Sequence, residues 1–298
     1  MWLIFALLTT LSWAFADLFY KKGAVANDKV SHIKTVIMVG LVMGIHGLCY
    51  MLINKIAFSP IYLVTYFPVS FLYILSMTIG YFGLRYIELS ISSPVQNSSG
   101  AVTSILIFIF FSHTLSFLET GAIIIITFGI VALAALEKQD DKSVPINEDS
   151  AKYRTGFLAI TFPILYCIID GLGTFADAIY LDELSLIGED EALLAYEFTF
   201  FICAVIAYII LKIQKQPFSL HEEKDRGAAA IFETAGQFFY VFAMAKNAII
   251  VAPLVASYSV FSVLLSRIFL RERLSHKQYL IVTAVMAGIA LLALSEVI

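Results

Sequence analysis

Charged residues are scarce in this chain of 298 residues, where they make up 14% of the sequence against 60% hydrophobic residues. Soluble globular domains carry about 25% charged residues. The mean hydropathy of +0.88 is likewise higher than a soluble domain of this length would carry. The shortage of charge therefore argues against a soluble enzyme or binding domain and predicts a membrane protein.

Cysteine is scarce as well. The three cysteines, Cys49, Cys167 and Cys203, have no CxxC spacing, and each falls inside an apolar segment. This pattern argues against a disulfide framework and a cysteine metal site, so we expect apolar packing for all three. We predict no catalytic residue, no metal, no cofactor and no nucleic-acid partner.

Long apolar runs are what the chain has in abundance. A run of about 20 apolar residues is long enough to cross a hydrocarbon core of about 30 Å. In lipid each run must be a helix, because a lone strand would leave its backbone groups unpaired. The predicted fold class is an all-α membrane protein with ten transmembrane helices, at residues 2–20, 32–53, 61–84, 94–112, 118–136, 155–180, 192–211, 227–245, 251–270 and 277–296.

The chain contains an internal repeat. Residues 81–136 and 240–295 align without a gap at an offset of 159, which places Pro94 on Pro253. We place both prolines in the first turn of their helices, where proline costs little.

One turn of the repeat differs in charge between the copies, because Ser112-His113-Thr114 aligns with Arg271-Glu272-Arg273. A repeat with an odd number of helices enters the membrane upside down in its second copy, so the same loop changes side. Inverted repeats of this kind are common in secondary transporters. We therefore predict two inverted five-helix repeats, at residues 1–137 and 155–298, joined by a cytoplasmic linker at 138–154.

Basic residues indicate the orientation. Seventeen Lys and Arg residues lie in the loops after odd-numbered spans, whereas only Lys55 and Lys246 lie on the opposite side. Lys and Arg concentrate in cytoplasmic loops. The chain is therefore predicted to be a multi-pass protein of the cell membrane with both termini non-cytoplasmic.

Five acidic residues lie within the predicted spans at least three positions from either end, and Asp170 and Glu233 are deeper than any Lys or Arg. An ionised side chain at mid-bilayer costs about 2.5–3.5 kcal/mol on insertion scales, so it usually faces a cavity or a partner. We assign Asp170 and Glu233 to a functional cavity. Asp17, one turn before a lysine, either pairs with that lysine or joins the cavity. Asp177 and Glu197 are close to span ends, where we expect them in water.

An aromatic residue precedes an acid by four positions in both halves, as Trp13 with Asp17 and Tyr166 with Asp170. Residues at this spacing share one helical face. The combination suits an organic cation, through charge attraction and cation–π contacts of roughly 0.5–2 kcal/mol each. Carboxylates equally suit proton coupling, so both readings stay open. The predicted substrate-binding residues are Trp13, Asp17, Tyr81, Asn97, Tyr166, Asp170, Glu233, Gln237 and Tyr240.

These features together resemble the drug/metabolite transporter superfamily, EamA type. They are the five-plus-five spans, Ser12-Trp13-Ala14, the proline patterns at 88–101 and 247–260, and the turn at 271–275. The resemblance covers essentially the whole chain and implies a central cavity lined by helices 1, 3, 4, 6, 8 and 9, worked by alternating access. The chain is also similar to choline importers of that superfamily at Tyr166, Asp170 and residues 191–194.

We predict a secondary active transporter of small organic solutes whose substrate is cationic or zwitterionic, such as a quaternary ammonium compound or an amine. The alternative is a proton-coupled exporter of neutral metabolites, amino acids or drugs. A membrane-embedded enzyme or a channel is less favoured, because the sequence shows no metal or phosphate motif and no pore loop. The expected partners are the solute, the lipid bilayer and a proton as a candidate coupling ion, with a homo-oligomer left open.

The charge count makes a testable prediction of topology. Single cysteines introduced at Ser143 and Ser219 should resist membrane-impermeant thiol reagents in intact cells, whereas a tag after Ile298 should be reachable from outside. Labelling of both cysteines together with a hidden tag would contradict the orientation.

Overall fold

The computed structural model of the chain describes residues 1–25, 28–112, 115–140, 156–272 and 275–295. Within these ranges every regular element is a helix. Two π-helical turns, Ile179–Glu183 and Ser266–Leu270, extend α8 and α11. The helices are α1 Trp2–Gly23, α2 Ser31–Asn54, α3 Ile61–Thr65, α4 Phe67–Gly83, α5 Leu89–Asn97, α6 Ser99–Phe110, α7 Phe117–Asp140, α8 Gly156–Ala178, α9 Glu189–Ile213, α10 Lys224–Ala256, α11 Tyr258–Leu265 and α12 His276–Ser295.

Each of the ten predicted spans coincides with one helix or with helices joined at a break. The third span is α3 with α4, and the fourth is α5 with α6. Helix α10 bends at Asn247, whose φ of −166° and ψ of 71° are not helical, and supplies both the eighth span and the start of the ninth. The described residues thus confirm an all-α, multi-pass membrane protein. Residues 141–154 of the predicted linker, His113, Thr114 and Arg273 lie outside the described residues.

The fourth span begins earlier than predicted, at Leu89 rather than at residue 94, so Pro94 is not in its first turn. The first N–H groups of a helix need partners from outside the helix. Here the Glu272 carboxylate accepts hydrogen bonds from the N–H groups of Leu89 at 3.3 Å and Ser90 at 3.0 Å. This distant acid extends the helix ahead of the proline.

The ninth span shows the same difference, since helical structure resumes at Ala248 rather than at residue 251 and Pro253 lies inside the helix. The Asp182 carboxylate accepts a hydrogen bond from the Ala248 N–H group at 2.8 Å. Leu89 and Ala248 are themselves 159 positions apart, so both copies of the repeat start this helix at the same place with a carboxylate cap.

The main helix contacts are the same when the two halves are exchanged. Helix α1 of the first half packs on α10 of the second, and α8 of the second half packs on α4 of the first. The equivalent helices α2 and α9 pack on each other, as do α7 and α12. In the last pair Gly129 faces Val285, and Gly288 faces Ile126. Both combinations are again related by the offset of 159, which is the pattern expected of two copies of one packing unit.

Small residues let α2 and α9 approach closely. A Cβ atom added at Gly40 would meet the backbone of Phe200 and would lie 2.6 Å from the Ala204 Cβ atom. One added at Gly44 would meet the Phe201 ring. Small residues spaced by four serve such close contacts between membrane helices. This seam lies within the bundle.

Gly40→Ala should therefore destabilise the protein. Its nearest obstacle is backbone, so the two helices must separate, and overpacking of this kind costs about 1–3 kcal/mol. Gly121→Ala is a matched control, because a Cβ atom there meets nothing within 4 Å. Thermal unfolding in detergent should show a lower Tm for the first variant alone. Equal Tm values would contradict the close seam.

Candidate functional site

The fourth and ninth spans are broken at equivalent positions. Ser98 separates α5 from α6, and Ser257 separates α10 from α11, at an offset of 159. Each serine hydroxyl donates to a carbonyl oxygen of the preceding turn, at 3.0 and 2.5 Å respectively. A proline four residues before each serine removes one N–H group from the helix. The residues after the breaks, Ser99 and Tyr258, face a central cavity.

The cavity lies among the helices of both halves. All nine residues predicted to bind substrate line it: Trp13, Asp17, Tyr81, Asn97, Tyr166, Asp170, Glu233, Gln237 and Tyr240. The described lining contains three carboxylates and no Lys, Arg or His. The structure therefore brings the predicted residues together in one place, where the three acids have no basic residue beside them in the described lining.

Asp17 is held by helices from both halves. Its Oδ2 atom accepts hydrogen bonds from Ser93 at 2.5 Å and from Ser262 at 2.8 Å. Lys21, the lysine considered as its partner, donates to two backbone carbonyls after α4, at 2.8 and 2.6 Å. Asp17 therefore joins the cavity, with serine hydroxyls as its hydrogen-bond donors.

Asp170 and Glu233 also contact hydroxyl groups. Ser99 Oγ donates to Asp170 at 2.8 Å, and Tyr20 Oη donates to Glu233 at 3.2 Å. Glu233 is close enough to interact electrostatically with both Asp17 and Asp170. Three acids near one another in a low-dielectric site repel one another when ionised. The cavity consequently favours protons or a bound cation.

Aromatic rings form the walls beside these acids. The Trp13 ring centroid lies 5.0 Å from that of Tyr240 and 5.8 Å from that of Tyr258. The Trp13 Nε1 group donates to the Glu233 backbone carbonyl at 3.3 Å, which fixes its ring plane. Tyr166 lies against Gly80, where a Cβ atom would be 2.8 Å from its ring.

Sequence reasoning missed several tyrosines that line the cavity, namely Tyr20, Tyr73, Tyr196 and Tyr258. The chain has 15 tyrosines, so abundance alone gave no signal. Spacing could have found two of them. Tyr20 follows Trp13 by seven residues and Tyr73 precedes Tyr81 by eight, which places each on the same helical face as a residue that was predicted.

The expectation of water around Asp177 and Glu197 was wrong. Both side chains are 0% exposed, because helical structure continues past the predicted span ends, to Glu183 after Asp177 and from Glu189 before Glu197, and other helices pack over them. Tyr66 donates a short hydrogen bond to Asp177. His46 Nδ1 lies 2.7 Å from Glu197 Oε1, so the lone histidine of α2 has an acidic partner. Among the described residues no group of three or more His, Cys, Asp or Glu is arranged to hold a metal ion.

The second half of the chain matches a known family. Residues 157–294 match the model of the EamA-like transporter family. This part of the chain is similar to the transporters of that family. The match confirms the resemblance to the drug/metabolite transporter superfamily and indicates a membrane transporter of small solutes. The family is one of transporters rather than enzymes.

The fold is similar to that of a protein of known crystal structure. The two superimpose with a TM-score of 0.67 over 98% of this chain and 96% of the other, at 11% sequence identity. At that identity the likeness shows a shared fold alone. The sequence matches none of the curated proteins.

Proposed function

We propose that the protein is a secondary active transporter of small organic solutes that carry a positive charge, with a quaternary ammonium or amine group. The observation that carries this proposal is the set of three carboxylates on one aromatic-walled cavity whose described lining has no basic residue. A cation in the cavity offsets the repulsion among Asp17, Asp170 and Glu233. No chemical change of the solute is required.

The aromatic walls favour a quaternary ammonium group over a metal cation. Trp13, Tyr240 and Tyr258 all line the cavity, and Trp13 packs against the two tyrosines at centroid distances of 5.0 and 5.8 Å. A cation over the ring surface that this cluster leaves open to the cavity gains roughly 0.5–2 kcal/mol per contact. Aromatic rings recognise choline-like groups in this way.

Two amide groups suggest that the solute also bears an oxygen acceptor. Gln96 Nε2 and Gln237 Nε2 are buried and have no hydrogen-bond partner among the described residues, and both side chains line the cavity. An unsatisfied buried donor costs about 1–3 kcal/mol. A hydroxyl or carboxylate oxygen on the solute would satisfy these donors, which suits an amino alcohol or a zwitterion.

Transport would proceed by alternating access between two inverted repeats, residues 1–137 and 155–298. The breaks at Ser98 and Ser257 support this proposal, because discontinuous helices near the membrane midplane form the substrate sites of many transporters. By the count of basic loops, the Glu272 cap on α5 lies at the cytoplasmic end and the Asp182 cap at the opposite end. We propose that the contact between Glu272 and α5 and the contact between Asp182 and α10 open alternately during transport.

Removal of one acidic charge should stop transport. Asp170→Asn and Glu233→Gln keep the size and hydrogen bonding of each side chain, so at least one should abolish choline uptake into proteoliposomes across about pH 5–8. Both variants should insert and purify normally. Glu189→Gln is the matched control, because this carboxylate pairs at 2.8 Å with Lys246, outside the cavity. Wild-type uptake by both variants would refute the role of these acids.

The aromatic walls give a second test. Trp13→Leu and Tyr166→Leu should each weaken choline binding by about 0.5–2 kcal/mol, or roughly 2- to 30-fold, through loss of cation–π contacts. Trp2→Leu makes the same change on the same helix outside the cavity lining and should leave affinity unchanged. Calorimetric titration measures the difference. Binding of a neutral or anionic metabolite, with none of any amine or quaternary ammonium, would favour the proton-coupled alternative.

A further inference from the structure

We propose that Asp177 is a proton-binding site, separate from the carboxylates of the cavity and connected to the cavity wall through the hydroxyl groups of Tyr73 and Tyr240. The site itself does not depend on the proposed function. Its consequence, the coupling of a proton to the solute, rests on that function.

Asp177 is enclosed by hydroxyl groups. Its side chain is 0% exposed, Tyr66 donates to its Oδ1 atom, and Tyr73 Oη lies 3.4 Å from its Oδ2 atom. The titratable groups that face it from other helices are phenols: Tyr66 before α4, Tyr73 on α4, Tyr196 on α9 and Tyr240 on α10.

No ion pair in the described part of the chain involves Asp177, and its partners there are neutral. A buried carboxylate without a cation costs several kcal/mol unless hydrogen bonds compensate. Either these hydroxyls stabilise the ionised acid, or a proton neutralises it. The geometry accommodates both states.

The hydrogen bonds of the Tyr73 hydroxyl show how both states of Asp177 are accommodated. Its hydroxyl lies 2.6 Å from Tyr240 Oη, 3.1 Å from Thr174 Oγ1 and 3.4 Å from Asp177 Oδ2. A hydroxyl has one hydrogen to donate and two lone pairs that accept. When Asp177 is ionised, Tyr73 donates to it and accepts from Tyr240, while Thr174 Oγ1 is a second acceptor for the same Tyr73 hydrogen.

When Asp177 carries a proton, the direction reverses. The acid donates to Tyr73, which then turns its own hydrogen to Tyr240 or to Thr174. Protonation thus reorients the chain of hydroxyls without moving a helix.

The reversal reaches the cavity at Tyr240. This residue lines the cavity, and its ring centroid lies 5.0 Å from that of Trp13. With Asp177 ionised, the Tyr240 hydroxyl donates to Tyr73 or to Asp177 itself. With Asp177 protonated, it accepts from Tyr73 and its own hydrogen is free to turn to an acceptor in the cavity. The protonation state of Asp177 therefore decides whether the Tyr240 hydroxyl can donate a hydrogen bond into the cavity, where we propose that the solute binds.

Infrared difference spectroscopy of the full chain in lipid, between about pH 5 and 8, tests the site without any solute. Wild-type protein should show the carbonyl stretch of a protonated carboxylic acid that appears as the pH falls. Asp177→Asn should remove one such band, because the variant has no carboxyl group at this position. The local structure should be kept, because the amide accepts from Tyr66 and donates to Tyr73 in place of the protonated acid. Asp177→Glu should shift that band, which keeps the test valid if the first variant folds poorly.

The control is Glu189→Gln, which removes a partly exposed carboxylate at the same end of the bundle and should leave the Asp177 band in place. Identical difference spectra for wild type and Asp177→Asn would overturn the proton site.

Choline flux in proteoliposomes then tests the coupling. Asp177→Asn and Tyr73→Phe should both lose accumulation driven by a pH gradient, whereas exchange of choline at equal pH should persist in Asp177→Asn. Gradient-driven accumulation that persists in both variants would overturn the coupling. Absence of choline transport in wild type would refute the proposed substrate class alone, because the infrared result stands without it.

Discussion

Hydrocarbon offers no hydrogen-bond partners, and the structure depends on that constraint. A polar side chain within the bundle therefore needs a partner on its own helix, on another helix or in a cavity. Asp17 on α1 bonds to serines of α5 and α11, Asp170 on α8 to Ser99 of α6, and Glu197 on α9 contacts His46 of α2. Acids that line the cavity, and Glu197 outside it, therefore connect the helices of the bundle.

Packing and the cavity follow from where small and large residues fall. Away from the cavity, glycines let neighbouring helices approach closely, as at Gly40 against α9 and Gly129 against α12. At the centre, broken helices and large aromatic rings keep the helices apart. The serine at each break leaves the next residue facing the cavity. A close outer contact and an open middle suit a protein whose halves move around a central solute.

The sequence predicted the helices and most of the site because both signals are local. Apolar length located ten spans, and the four-residue spacing of Trp13 with Asp17 and of Tyr166 with Asp170 identified the faces that line the cavity. It failed where a distant residue decides. The starts at Leu89 and Ala248 depend on Glu272 and Asp182, and no local pattern announces a cap from another helix.

By itself the sequence determined an all-α membrane protein of ten spans, because hydrophobic length and helical period are properties of neighbouring residues. Only the tertiary structure decided the environment of each acid. Asp17 meets its serines 76 and 245 positions away, and Asp177 meets Tyr66 at a separation of 111. Burial and hydrogen bonding are set by which helices pack together. An acid near the end of a predicted span can therefore be enclosed where its sequence position predicts water.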